Sequence, residues 1–265
     1  LAREAVAQRE PRVALHVAVA LHPRLGLALA RLLLFAQQLL NAGAVTEPES
    51  ESGSQAGQQQ AEQAAGELKA KYRCAVECVG GDVSLPETRA KIWETFDKVY
   101  GETHALGAVV HNAGQYVGVT STNAAGIQAT GPPPGFGDGS LIKEGAVDFT
   151  QMHYYQRMYG DAYVDLCERG LARMTAGGSL VGISSPGCTT QYNANAGYDM
   201  PGSGKCVMEY AMRLFALRCA AKNVNCNVVV PGVTSTDAWG KLAETRGTTK
   251  EELVAGISGR LSPMG

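Results

Sequence analysis

Three stretches of the chain carry residue types suited to proton chemistry at a carbonyl oxygen: Ser184-Ser185, Tyr198 and Lys205. A buried tyrosine works as a general acid or base only when its pKa of about 10 is brought down. A neighbouring ammonium does this by favouring the phenolate. A serine hydroxyl in the same pocket can hold a substrate carbonyl oxygen. Lys205 is the first lysine after Tyr198, and its position predicts that it opens a helix with its side chain one or two turns from the ring. The competing reading makes Tyr198 a core residue and Lys205 a solvated one. Spacing alone leaves both open.

These residues need elements to hold them. Val13–Ala20 is an apolar, β-branched run of strand length, and Leu25–Leu40 follows as a helix closed by Asn41-Ala42-Gly43. Further strands are predicted at Ala44–Thr46, Cys74–Val79, Ala108–His111, Ser179–Ser184 and Val224–Val230. Helices are predicted at Ala61–Tyr72, Pro86–Tyr100, Phe149–Met174, Lys205–Ala221 and Thr249–Ile257. Residues 47–63 are a low-complexity, flexible insertion running into a helix, and residues 115–145 a long Gly/Pro-rich loop. Alternation of strands with helices predicts one α/β domain over residues 1–265, a doubly wound parallel sheet. Ligands of such sheets bind beyond the carboxyl ends of the strands. His22 to Gly26, Asp82, Asn112 to Gly114, Ser185 and Pro231 to Thr236 all follow predicted strands.

Composition narrows the function classes. The chain has 265 residues, 45% of them hydrophobic and 18% charged, enough for a sizeable core. Its net charge of -2 offers no basic excess for nucleic acid or an anionic membrane. No stretch of about 20 uncharged apolar residues is present, so no membrane span is expected. Seven dispersed cysteines without paired spacing read as reduced thiols, in the cytoplasm or an organelle interior, rather than a disulfide framework. No metal is expected: neither the cysteines nor His22, His104 and His153 have ligand spacing. The chain opens on Leu1 rather than Met, which predicts a processed or incomplete N-terminus.

Several of these segments together resemble the short-chain dehydrogenase/reductase family. Val110-His111-Asn112-Ala113-Gly114 is similar to its Asn-Asn-Ala-Gly signature. Gly178 to Ser185 resembles the strand that ends in its catalytic serine, and Ser185 precedes Tyr198 by thirteen residues, the family's spacing. Asn225 to Thr236 resembles its Pro-Gly loop, and Gly81-Asp82-Val83-Ser84 its adenine-contacting segment. The resemblance runs from about Val13 to Gly265 and implies a Rossmann-like fold and hydride transfer between NAD or NADP and a carbonyl, alcohol or activated double bond. It implies Tyr198 as proton donor, Ser185 as the group that orients the substrate oxygen, and Lys205 as the residue that lowers the Tyr198 pKa and binds the nicotinamide ribose. Asn112, Ala113 and Gly114 would pack on the adenosine ribose, Asp82 and Val83 near the adenine. Pro231, Gly232, Val233 and Thr236 would hold the nicotinamide amide.

The chain also departs from the family. Lys205 stands seven residues after Tyr198 rather than four, the spacing of the enoyl-acyl-carrier-protein reductase branch, which His111 also resembles. Cys188 stands where that branch has a second tyrosine, and the Asn-Ala-Gly is foreign to it. The glycine-rich phosphate loop is reduced to Gly26, with Arg24 where a glycine is usual. An Arg24 side chain swung outward would meet phosphate by charge-assisted bonds. Glu47 favours NAD, and Arg24 with His22 favours NADP, so cofactor choice stays open. The C-terminal Arg260 to Gly265 resembles a segment that the family follows with a further helix and strand, so the sheet is expected to lack its last strand. The alternative is a catalytically inactive dehydrogenase-like subunit or binding module. The expected partners are a small-molecule substrate, enclosed by residues 115–145 and 236–257, and a homo-oligomer or larger assembly.

Overall fold

The computed structural model describes residues 18–20, 62–71, 75–102, 104–114, 142–143, 146–147, 149–175, 177–186, 188, 199–232, 239–240, 243–244 and 247–261. The expected helix Leu25–Leu40, strand Ala44–Thr46 and low-complexity run 47–61 lie outside these residues.

The strands are β1 (Ala18–Ala20), β2 (Ala108–His111), β3 (Ile142–Lys143), β4 (Ala146–Val147), β5 (Gly178–Ile183) and β6 (Val224–Val229). The helices are α1 (residues 62–71), α2 (Pro86–Tyr100), α3 (Thr150–Tyr155), α4 (Ala162–Arg173), α5 (Asp199–Cys219) and α6 (Lys250–Leu261). The main sheet runs β1-β2-β5-β6. The pairs β2–β5 and β5–β6 are parallel, with His111 opposite Gly182 and Ile183 opposite Val229. Parallel neighbours need a crossover, which α4 and α5 provide. β3 and β4 form a separate two-stranded hairpin.

Each face of the parallel strands is apolar, as a sheet covered on both sides requires. Val109 and Leu180 join the larger core with Trp93 and Phe96 of α2, Leu166 and Leu171 of α4, and Met208 and Phe215 of α5. Ala108, Val110 and Val181 form a smaller cluster with Ile183 and Val229. Gly170 lets α4 lie close on β2, since a Cβ there would come within 2.7 Å of Val109. Arg89 ties α2 to α4 through Asp165 at 2.9 Å and bonds the Val83 carbonyl at 2.7 Å.

The structure corrects five expectations. Residues 75–80 form no strand, although Cys74–Val79 has strand composition. No described strand pairs there, and β propensity acts only through pairing and packing. β1 lies beside β2 as the alternation suggests, but the two are antiparallel. A three-residue edge strand gains slightly more from antiparallel hydrogen bonds. α5 begins at Asp199, so Lys205 sits inside the helix rather than opening it. The helix expected over Phe149–Met174 is continuous but changes winding: between α3 and α4, Gln156–Asp161 is π-helical. Two residues of the expected loop, Ile142–Lys143, are paired as β3; residues 115–141 lie outside the described residues.

Candidate active site

The parallel register gathers three predicted segments at one end of the sheet. β2 leads into Asn112, Ala113 and Gly114. β5 leads into Ser184 and Ser185, and β6 into Pro231 and Gly232. The Ser184 amide extends the ladder by donating to the Val229 carbonyl at 2.9 Å. Asn112 and Ala113 are half-buried and Gly114 is exposed, as are Pro231 and Gly232 in turn.

Lys205 comes to this end from α5. The helix buries Lys205, Met208, Ala211, Phe215 and Cys219, a spacing of three and four that faces one stripe to the sheet. Val207, Tyr210, Leu214 and Leu217 are left exposed on other sides. α5 packs against the π-helical turn at two glycines. A Cβ on Gly160 would meet Val207 at 2.8 Å, and one on Gly204 would collide with the Tyr155 carbonyl. This close crossing seats the Lys205 ammonium 4.7 Å from the centre of the Tyr159 ring. From there Nζ donates to the Ile183 carbonyl at 3.3 Å, at the carboxyl end of β5. Burial pulls the Lys205 pKa down to about 8, against the opposing influence of Cys188 and Glu209.

The serines part company. Ser184 is buried and its hydroxyl donates to the Glu209 carboxylate, one helical turn beyond Lys205. Ser185 is half-buried, and its hydroxyl donates to the Pro186 carbonyl at 3.3 Å. That leaves Ser185, not Ser184, the serine open to a ligand. Burial raises the Cys188 thiol pKa, with Lys205 opposing. The Cys206 thiol donates to the Cys188 carbonyl at 2.7 Å.

His111 closes the floor. It is 1% exposed, and Nε2 lies 3.0 Å from the Met158 carbonyl. An accepting carbonyl places the proton on Nε2, which leaves Nδ1 as an acceptor without a partner among the described residues. Burial holds its pKa down at about 4, so the ring is neutral at pH 7.

Asp82 and Val83 lie in the turn entering α2. The Asp82 carboxylate accepts the Ser84 amide at 2.8 Å, and Val83 is 1% exposed in the core. Tyr198, His22, Arg24, Gly26, Val233 and Thr236 lie outside the described residues. Among the described residues six cysteines are free thiols: buried Cys167, Cys188, Cys219 and Cys226, half-buried Cys78 and exposed Cys206. Among the described residues no three His, Cys, Asp or Glu side chains gather as a metal site. No described helix is long and apolar enough to cross a membrane.

Residues 142–261 match the family model described as enoyl-(acyl carrier protein) reductase. Over that segment, less than half of the chain, the sequence is similar to the short-chain dehydrogenase/reductase family. Solved structures carry the same fold. The L-sorbose reductase of Gluconobacter frateurii, solved with NADPH and L-sorbose, has a TM-score of 0.58 at 18% identity, covering 77% of this chain and 69% of its own. A blue fluorescent protein from a metagenomic library, solved with NADPH, has a TM-score of 0.52 at 19% identity, over 77% and 75%. A short chain dehydrogenase from Burkholderia cenocepacia, solved with NADP, has 0.50 at 17% identity, over 76% and 74%. At such identities these likenesses establish the Rossmann-like fold. No curated protein matches in sequence.

Glu209 and Tyr159 were not singled out from the sequence. Glu209 had a signal, four residues beyond Lys205 and so on the same helical face. Tyr159 had none, since its approach to Lys205 depends on the π-helical turn.

Proposed function

We propose that the protein is an NAD(P)-dependent oxidoreductase that moves a hydride between a nicotinamide and a carbonyl, alcohol or enoyl substrate. The observation that carries this reading is the Lys205 ammonium, buried and bonded to the Ile183 carbonyl two residues before Ser185. A charged group is costly to bury, and here it stands at the strand ends where ligands of this fold bind. The bound cofactor supplies or accepts the hydride. Tyr198 gives the substrate oxygen its proton, and the Ser185 hydroxyl holds that oxygen. Lys205 keeps the Tyr198 phenol acidic by favouring its ionised form. Asn112, Ala113, Gly114, Pro231 and Gly232, which share this edge of the sheet, would line the cofactor, with Val233 and Thr236 following on. His22, Arg24 and Gly26 would meet the phosphates, and Asp82 and Val83 the adenine end.

The rival reading, an inactive dehydrogenase-like subunit, draws on the phosphate loop, where Gly26 alone survives. Titration with NADH and NADPH, followed by nicotinamide fluorescence, separates the two. Binding of either is expected; no binding at millimolar cofactor removes the enzyme reading. Tyr198→Phe is then expected to abolish turnover while cofactor affinity stays nearly intact. Equal turnover in that variant takes Tyr198 out of the mechanism.

A further inference from the structure

Within that reading, we propose that Tyr159 is the positioning residue for Lys205, its ring face holding the buried ammonium at the carboxyl end of β5. Lys205 is 7% exposed, and such a cation needs a compensating partner. Four groups besides the ring surround it among the described residues. The Ile183 carbonyl accepts at 3.3 Å. The Glu209 carboxylate, on the same helix, accepts the Ser184 hydroxyl and also favours the charged lysine electrostatically. Cys188, on the stretch after β5, carries a thiol whose ionisation burial suppresses. His111, on β2, is neutral and bonds the Met158 carbonyl. Among the described residues the Tyr159 ring also faces the ammonium, 4.7 Å from Nζ to its centre, within cation–π range.

The surroundings fix this ring. Tyr159 is 2% exposed and stacks on Tyr155 at 6.2 Å with an interplanar angle of 11°. Its hydroxyl end rests on Gly114, where a Cβ would come within 2.9 Å of the oxygen. It therefore spans from the lysine to the loop after β2. It also sits in the π-helical turn, and such turns recur at functional sites because they re-aim side chains. Winding that segment as ordinary α-helix would rotate Tyr159 away from α5.

The test uses the full chain without cofactor. Lysine labelled with carbon-13 at Cε is titrated by NMR, and the spectrum of Lys205→Ala assigns the resonance. Tyr159→Phe, which keeps the π face, is expected to leave the Lys205 midpoint near its wild-type value. The ring-pentafluorinated counterpart of that phenylalanine keeps the shape but reverses the ring's charge distribution. With it, the proton affinity of Lys205 should fall about 5- to 30-fold. Tyr154→Leu removes an equally buried ring, which packs edge-on against Tyr155, and should leave the midpoint in place. An unchanged midpoint with the fluorinated ring, or an equal fall in Tyr154→Leu, overturns the assignment. The readout needs no NADH or NADPH, so its failure and a failed cofactor titration are separate results.

Discussion

Adding one methyl group at Gly204 tests how α5 is held. The glycine lies inside the helix, where alanine alone would favour folding by about 1 kcal/mol. Here, however, the new Cβ would collide with the Tyr155 carbonyl oxygen, and would lie 2.8 Å from its carbon and 3.2 Å from Gln156 Cα. All three are backbone atoms, so no rotamer change relieves the overlap, and α5 must move away from the π-helical turn. Overpacking of this kind costs about 1–3 kcal/mol, and backbone on both sides puts Gly204→Ala toward the upper end. Gly256 supplies the control. It lies inside α6, exposed, with no atom within 4 Å of a built Cβ. Both variants gain the same helix propensity, so the difference between them isolates the collision. Urea unfolding of both should show Gly204→Ala less stable than Gly256→Ala by about 2–3 kcal/mol, with unchanged m-values. Equal midpoints would mean that the helices do not cross this closely, and the placement of Lys205 against Tyr159 would fall with them.

Two pH dependences follow from buried groups. The folded pKa of Lys205, about 8, lies below its unfolded value of about 10.4, so the unfolded chain binds the extra proton between them. Stability therefore rises with pH from about 8 to 10.4; the penalty is fully present below 8 and amounts to about 3 kcal/mol. In Lys205→Met, chemical unfolding across that window should lose this slope, and an unchanged slope would place the ammonium in solvent. For His111 the folded value of about 4 lies below the ordinary 6.5, so the unfolded state again binds more protons in between. Stability falls as pH drops from 6.5 to 4, and His111→Gln should flatten that part of the wild-type curve, which also contains carboxylates. Identical curves would show that the ring is hydrated.

Much of the scaffold was legible in local patterns. Pro86–Tyr100 is a helix with the bounds its spacing predicts, and Ala108–His111 is a strand as its apolar run predicts. β5 and β6 differ from the expected ranges by a residue at their ends. These elements carry their signal in their own residues, in apolar periodicity, a proline at the first helical turn and glycine at the strand entry. Cys74–Val79 misled because strand composition needs a neighbouring strand to be realised.

Residue types and chain order brought Ser185, Tyr198 and Lys205 forward as one constellation, and the family match over residues 142–261 agrees with the resemblance they carry. What no local pattern contained is the company each residue keeps. The pairing of Ser184 with Glu209, the ring under the Lys205 ammonium and the neutral, buried His111 each join stretches far apart in the chain. Two bare glycines and a single π-helical turn decide those meetings, because helix separation and side-chain aim are set by packing in three dimensions.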